Sequence, residues 1–321
     1  MLFITNRTPK QSARTRINRK ISFPESNNHV SQSVYYCRRD GDGGAYVEIG
    51  SKQFMASIKT SEYKQVLFYF HGFSNLPEPH IFPRALKMQA LFDDLAPGLI
   101  QVIPMIWPCD DDFGIVKDYW DDQKSADKSS FAFSRVLQKF MEWRDDADPE
   151  DPCMKRINVI AHSMGNRVFR ETLRVWDKYD LPNGVPMLFR NVFLAAADVV
   201  NETLERGNTG ELICHASRNV TVYYASDDLA LRSSKVSNLK NAVASRRLGH
   251  SGPEDMDCVP KNVYAVDCDD FNNSYDFPAG HAYFIEDKEK KPGKVFLHML
   301  ECLKEGRVFT DENRRTIIFN K

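Results

Sequence analysis

Nothing in the cysteine pattern resembles a disulfide framework or a metal site. The seven cysteines stand apart at 37, 109, 153, 214, 258, 268 and 302, no C-x-x-C occurs, and the number is odd. Reduced, mostly packed thiols of a cytoplasmic protein are expected. Charge imbalance is missing too: 43 basic and 44 acidic residues leave a net charge of −1. No general attraction to nucleic acid or to an anionic membrane follows. No apolar run approaches the ~20 residues that a membrane span needs, so no stable membrane anchor is expected. The opening Leu2-Phe3-Ile4 is too short for a secretory leader. Aspartates cluster at 110, 111, 112, 118, 121, 122 and 127, but the regular Asp-x-Asp-x-Asp-Gly spacing and distal glutamate of a calcium loop are lacking. Neither a metal nor a cofactor is expected. There is no internal repeat and no linker rich enough to separate domains. What remains is ordinary globular composition, 42% hydrophobic and 27% charged over 321 residues.

The chain alternates buried strands with amphipathic helices. Leu2–Thr5 reads as a short first strand. Residues 7–32, basic at Arg7, Lys10, Arg14, Arg16, Arg19 and Lys20 and then rich in Ser and Asn, read as a solvated loop or partly disordered arm. Residues 1–44 are therefore set apart from a main domain over 45–321. Val34–Arg38 and Tyr46–Ile58, split by Asp-Gly-Asp-Gly-Gly, predict a hairpin. Val66–Phe70 and Leu99–Trp107 are continuous apolar runs, as in strands buried on both faces. Residues 83–95 predict a helix, and 109–128 a solvated acidic loop. A second helix is marked by Phe133, Val136, Leu137 and Phe140 at i, i+3, i+4, i+7. Asn191–Ala197 and Val220–Ala225 are further strands. Residues 232–280 are polar and irregular, and a closing helix shows Val295, Phe296, Met299, Cys302 and Leu303 on one face. The pattern predicts a mainly parallel central sheet with helices on both faces.

One stretch carries chemistry. Ile157-Asn158-Val159-Ile160 runs into Ala161-His162-Ser163-Met164-Gly165, and Phe169, Leu173 and Trp176 follow at helical spacing. Strand, sharp turn and helix with a central serine make a nucleophile elbow. The turn demands small residues two before and two after the serine, and Ala161 and Gly165 satisfy it. The strained turn would expose the Ser163 hydroxyl above the sheet, and the helix N-terminus behind it favours developing negative charge. A serine hydroxyl needs a base to take its proton and an acid to orient that base. With the order Ser, acid, His, with His215 ahead of the favoured acid Asp228 and with His298 read as packed in the closing helix, the bases left are His281, in a late loop after Gly280, and His250. Asp228 and Asp227 follow one core strand and Asp198 the strand before it, so all three stay open as the acid. The strand Val66–Phe70 ends in His71-Gly72-Phe73, where Phe73, or Gly72 beside it, would complete an oxyanion hole with the Met164 N–H. His71 would bond the loop.

These marks resemble the α/β-hydrolase superfamily across nearly the whole chain after residue 45. More narrowly, the chain is similar to a bacterial family of serine hydrolases whose substrate is not settled. The matching residues are Phe3-Ile4-Thr5-Asn6-Arg7, His71-Gly72-Phe73-Ser74-Asn75, Trp107-Pro108, Ala161-His162-Ser163-Met164-Gly165-Asn166-Arg167, Ala196-Ala197-Asp198-Val199, Asp228 with Ala230-Leu231, and Arg247-Leu248-Gly249. The resemblance implies Ser163 as nucleophile, Asp228 as acid and His281 as base. It implies an esterase-like enzyme acting on a small-molecule ester through an acyl-enzyme. The alternatives are a binding protein that keeps this scaffold without turnover, or a lipase or acyltransferase on the same triad. The polar makeup of 232–280 contains no amphipathic lid, so short or polar acyl groups are expected. Oligomeric state is not readable.

Overall fold

A computed structural model describes residues 1–25, 29–41, 46–109, 115–232, 246–310 and 314–319, with 115–118 as backbone. The chain divides into two compact units, Met1–Ile157 with Glu171–Gly184, and Asn158–Arg170 with Val185–Lys321.

The first unit contains β1 (Leu2–Arg7), β2 (Arg19–Ile21), β3 (Val30–Arg39), β4 (Tyr46–Glu48), α1 (Gly50–Thr60), β5 (Gln65–Phe70), α2 (Phe82–Leu95), β6 (Ile100–Ile106) and α3 (Ile115–Asp145). Its strands lie in the order β5-β6-β1-β3-β4-β2. β5 and β1 each pair in parallel with β6, and the N-terminal meander β1-β3-β4-β2 is antiparallel. All six residues of β5 are buried, as its unbroken apolar run predicts. An aromatic cluster fills the core, with the Phe3 ring centroid 5.0 Å from Tyr46 and 5.1 Å from Phe82.

Three expectations are corrected here. Residues 7–32 are not a free arm where described. Arg7 is 1% exposed, and its guanidinium donates to Cys109 O at 2.7 Å and Pro24 O at 2.9 Å. Arg19–Ile21 pairs with β4, and Arg19 forms an ion pair with Glu48 at 2.7 Å. Basic residues that find buried acceptors are structural, which composition does not reveal. The second arm of the expected hairpin is extended only over Tyr46–Glu48. After it, Gly50 at φ +73 turns the chain into α1, whose Phe54, Met55 and Ile58 share one buried face. The acidic stretch after Cys109 is mostly helix: α3 already begins at Ile115, and Asp122, Ser125 and Ala126 on it are buried. Residues 110–114, where three of the clustered aspartates fall, lie outside the described residues.

The second unit holds 158–162 of β7 (Arg156–His162), the start of α4 (Gly165–Asp180), β8 (Phe189–Ala195), α5 (Glu211–His215), β9 (Ser217–Tyr224), α6 (Leu248–Ser251), β10 (Val263–Asp267), α7 (Asn272–Tyr275), α8 (Lys294–Glu305) and β11 (Thr316–Ile318). The strand order is β7-β8-β9-β10-β11. Pairs β8/β9, β9/β10 and β10/β11 are parallel. Three buried asparagines cross the sheet: Asn191 donates to Asn158 Oδ1 at 2.9 Å, and Asn219 donates to Asn191 Oδ1 at 3.0 Å. The region read as irregular, 232–280, supplies β10 and two short helices, while 233–245 lies outside the described residues. Among the described residues no helix is long and apolar enough to cross a membrane, and no group of His, Cys, Asp and Glu is arranged to hold a metal ion.

Candidate active site

β7 delivers the chain into a turn at Ser163, whose φ of 53° lies in the left-handed region. For a residue with a Cβ this costs on the order of 1–3 kcal/mol and persists only where neighbours impose it. They do so through the Ser163 carbonyl. It accepts from the Asn166 N–H at 3.1 Å, the Asn166 side-chain amide at 3.0 Å and the Asp198 N–H at 3.2 Å. The same Asn166 amide donates to Ala161 O at 2.9 Å, so one side chain ties both limbs of the turn. The Ser163 N–H donates to Ala195 O at the end of β8. Ala161 is fully buried. Met164 precedes Gly165, the first residue of α4, at a helix end where N–H groups have no acceptor within the helix.

The candidate acid and base follow neighbouring strands. Asp228 follows β9 and is fully buried. Its Oδ1 accepts from the Leu231 N–H at 2.9 Å, and its Oδ2 lies 2.6 Å from His281 Nδ1. His281 follows β10 on a loop after Gly280, which has φ +62. The His281 ring centroid lies 4.8 Å from that of His162, the residue before Ser163, and the His281 carbonyl is 3.2 Å from His162 Nε2. His162 also meets the Phe284 ring at 4.7 Å. His281 is thus packed against the residue adjoining the elbow serine.

Residues 49–294 match the family described as "Alpha/beta hydrolase of unknown function (DUF900)". The chain belongs to this family. Its members are α/β-hydrolases, in keeping with the mainly parallel strands and the elbow. No curated protein matches the sequence. Two solved structures are similar, phospholipase PlaB from Legionella pneumophila in complex with thio-NAD and phospholipase PlaB from Legionella pneumophila. Identity is 14% for both, with TM-scores of 0.27 and 0.28. The matches cover 63% and 64% of this chain and only 37% and 38% of the phospholipase chain, so it spans little over a third of that protein's length. A likeness of this size says nothing of substrate or cofactor.

Within the DUF900 chain the other candidates take different positions. Asp227 turns to the side-chain amides of Asn272, at 2.6 Å, and Asn273. Asp198 forms an ion pair with Arg247, Oδ1 to Nε at 3.2 Å, and both side chains are buried. His250 lies on α6, its N–H bonded to Arg247 O. Of the two candidate bases, it is His281 whose ring contacts Asp228. In the first unit His71 stacks on Trp107, with centroids 5.0 Å apart and planes 3° apart. Its Nδ1 faces Gly72 O at 2.8 Å and its Nε2 faces Trp107 O at 3.2 Å. Burial pushes its pKa down to about 3, so the ring is neutral. It braces the loop carrying Gly72 and Phe73, the role expected of it.

Sequence reasoning passed over Asn166, Asn272, Asn273 and Asp276 as site residues. Asp276 Oδ2 accepts the backbone N–H groups of both His281, at 2.8 Å, and Ala282, at 2.7 Å. An aspartate or asparagine a few residues before a Gly-His pair is a local turn signal that could have been read. The pairing of Asn272 and Asn273 with Asp227 spans more than forty residues and leaves no such trace.

Proposed function

We propose that this α/β-hydrolase is a serine hydrolase that cleaves short or polar acyl esters through an acyl-enzyme. The observation that carries this reading is the 2.6 Å contact between His281 Nδ1 and Asp228, beside the strained Ser163 turn. Asp228 would keep the proton on Nδ1, leaving Nε2 as the lone-pair face of the imidazole. His281 Nε2 then takes the Ser163 hydroxyl proton while Oγ bonds to the ester carbonyl carbon. The oxyanion accepts from the Met164 N–H at the start of α4. A second donor, Phe73 or Gly72, is proposed on the chain pattern alone. As the tetrahedral species collapses, the bond to the alcohol breaks and His281 returns the proton to that oxygen. Water, deprotonated by His281, attacks the acyl-Ser163 ester, and the acid leaves with the serine restored. The described residues of the segment between Asp228 and His281 support the short-chain preference. Leu229 and Phe277, 46% and 86% exposed, are single apolar side chains on the acid and base loops, not a continuous apolar face.

Ser163→Ala or His281→Ala is expected to lower turnover of p-nitrophenyl acetate by about 10⁴ or more, and Ser163→Ala to abolish labelling by a fluorophosphonate. Acetyl and butyryl esters should be cleaved faster than lauroyl and palmitoyl esters. Near-normal turnover by Ser163→Ala would sink the mechanism. Faster cleavage of the long esters would sink the substrate class.

A further inference from the structure

We propose that Asp227, the neighbour of the acid, is a positioning residue that sets the place of the base. This rests on the reading of Asp228 and His281 as acid and base. Four consecutive residues of the acid segment are each joined to the base-bearing stretch. The Ser226 hydroxyl donates to Asp269 Oδ2 at 2.8 Å. Asp227 accepts the amides of Asn272 and Asn273. Asp228 meets His281, and the Leu229 N–H donates to Ala279 O at 3.0 Å. The joint continues the parallel pairing of β9 and β10, whose last register pair is Tyr224 with Asp267. It extends that pairing beyond the strands, where backbone ladders no longer hold the two segments.

Asp227 reaches the base by a short route. The Asn272 amide that donates to Asp227 Oδ1 also donates to Gly280 O at 3.0 Å, one residue before His281. Asn272 is fully buried. Gly280 has no alternative residue in this arrangement: a Cβ there would lie 2.4 Å from Asn273 Oδ1 and 2.7 Å from Asn272 Nδ2. The Gly280 N–H donates to Asp276 O, and Asp276 Oδ2 takes the next two N–H groups. The backbone carrying His281 is therefore held on one side by Asp276 and on the other by the Asp227–Asn272–Gly280 chain. A carboxylate suits this post because both its oxygens accept, so it anchors two amide donors at once. An asparagine of the same shape presents one oxygen and one NH₂ group, and the NH₂ would face the Asn273 NH₂.

The test measures kcat, KM and the rate of fluorophosphonate labelling. Misplacing a reacting group by about 1 Å costs up to ~10²-fold in rate. Asp227→Asn is expected to lower kcat and labelling rate together by roughly 10–100-fold, with KM within about two-fold of wild type. The double variant Asp227→Asn with Asn273→Asp restores every donor–acceptor pair, since the new amide oxygen accepts from Asn272 and its NH₂ donates to the new carboxylate. It is expected to recover most of the lost kcat. Asn273→Ala, which removes one anchor and spares the Asn272 link, should show the same kcat-only loss in smaller degree and serves if Asp227→Asn does not fold. Wild-type kcat in Asp227→Asn overturns the proposal, as does a loss that the double variant fails to recover. In the fallback, wild-type kcat in folded Asn273→Ala overturns it. Ser163→Ala and His281→Ala run alongside. If His281→Ala keeps its turnover, the acid–base reading itself has failed. If His281→Ala is inactive and the Asp227 variant normal, only the positioning role has.

Discussion

At Asp228 a single carboxylate spends one oxygen on the His281 ring and the other on the Leu231 N–H, with no exposure to solvent. Asp198 spends its charge differently, in a buried ion pair with Arg247 beside the segment that bonds Ser163 O. The two environments predict separable phenotypes. Asp228→Asn should lower kcat by about 10⁴ while leaving the fold intact, because the amide holds the imidazole in the wrong tautomer. Asp198→Asn should mainly destabilise, by about 3–5 kcal/mol, since it leaves the Arg247 charge buried without its partner. Urea denaturation beside ester turnover distinguishes them. A large kcat loss in Asp198→Asn with unchanged stability would exchange the roles assigned to the two aspartates.

Elements act together in the asparagine chain across β7, β8 and β9. Asn191 is its centre: its amide donates to Asn158 Oδ1 and its own Oδ1 accepts from Asn219, both inside the sheet. Asn219 also donates to Gly306 O at 3.2 Å, tying the end of α8 to the strands. Removing the middle member takes one hydrogen bond from each neighbour, and a buried polar group that loses a partner costs about 1–3 kcal/mol. Asn191→Ala is therefore expected to lose roughly 2–5 kcal/mol in chemical denaturation. A loss below about 1 kcal/mol would mean that the two neighbours are satisfied by other partners or by water.

For the whole molecule, two buried histidines give acid sensitivity. Burial lowers the pKa of His71 to about 3 and that of His298, which contacts the Tyr223 hydroxyl at 2.7 Å, to about 4. The unfolded chain protonates both near 6.5, so below that pH it binds more protons than the folded chain, and stability rises with pH. The stability held by the neutral rings is fully present above about pH 6.5. It falls as pH drops toward their folded values, by up to about 1.4 kcal/mol per pH unit for each ring. Thermal melts between pH 7.5 and 4.5 should show this decline, and His298→Gln should make it shallower. An unchanged slope in that variant would remove His298 from the account.

Much of the site was legible locally. Small residues around a serine between a β-branched run and an amphipathic helix define the elbow, because that turn excludes anything larger, and the candidate acids and bases follow it at later strand ends and loops. The apolar runs that became β5, β6 and β8 declared themselves because a strand buried on both faces needs no partner to explain its composition. β2, β10 and β11 did not, being short and dependent on pairing with strands far away in sequence. Arg7 and Arg19 looked like a solvated arm because a buried acceptor for a guanidinium lies elsewhere in the chain. The choice among Asp198, Asp227 and Asp228 was likewise beyond local pattern. Neighbouring carboxylates are chemically equal until Asn272, Asn273, Arg247 and His281 are brought against them. Sequence by itself determined the sharp turn at Ser163 and the class of sheet, through steric limits acting within a few residues. Tertiary structure decided which aspartate meets the His281 ring, because that depends on hydrogen bonds between segments the chain keeps more than forty residues apart.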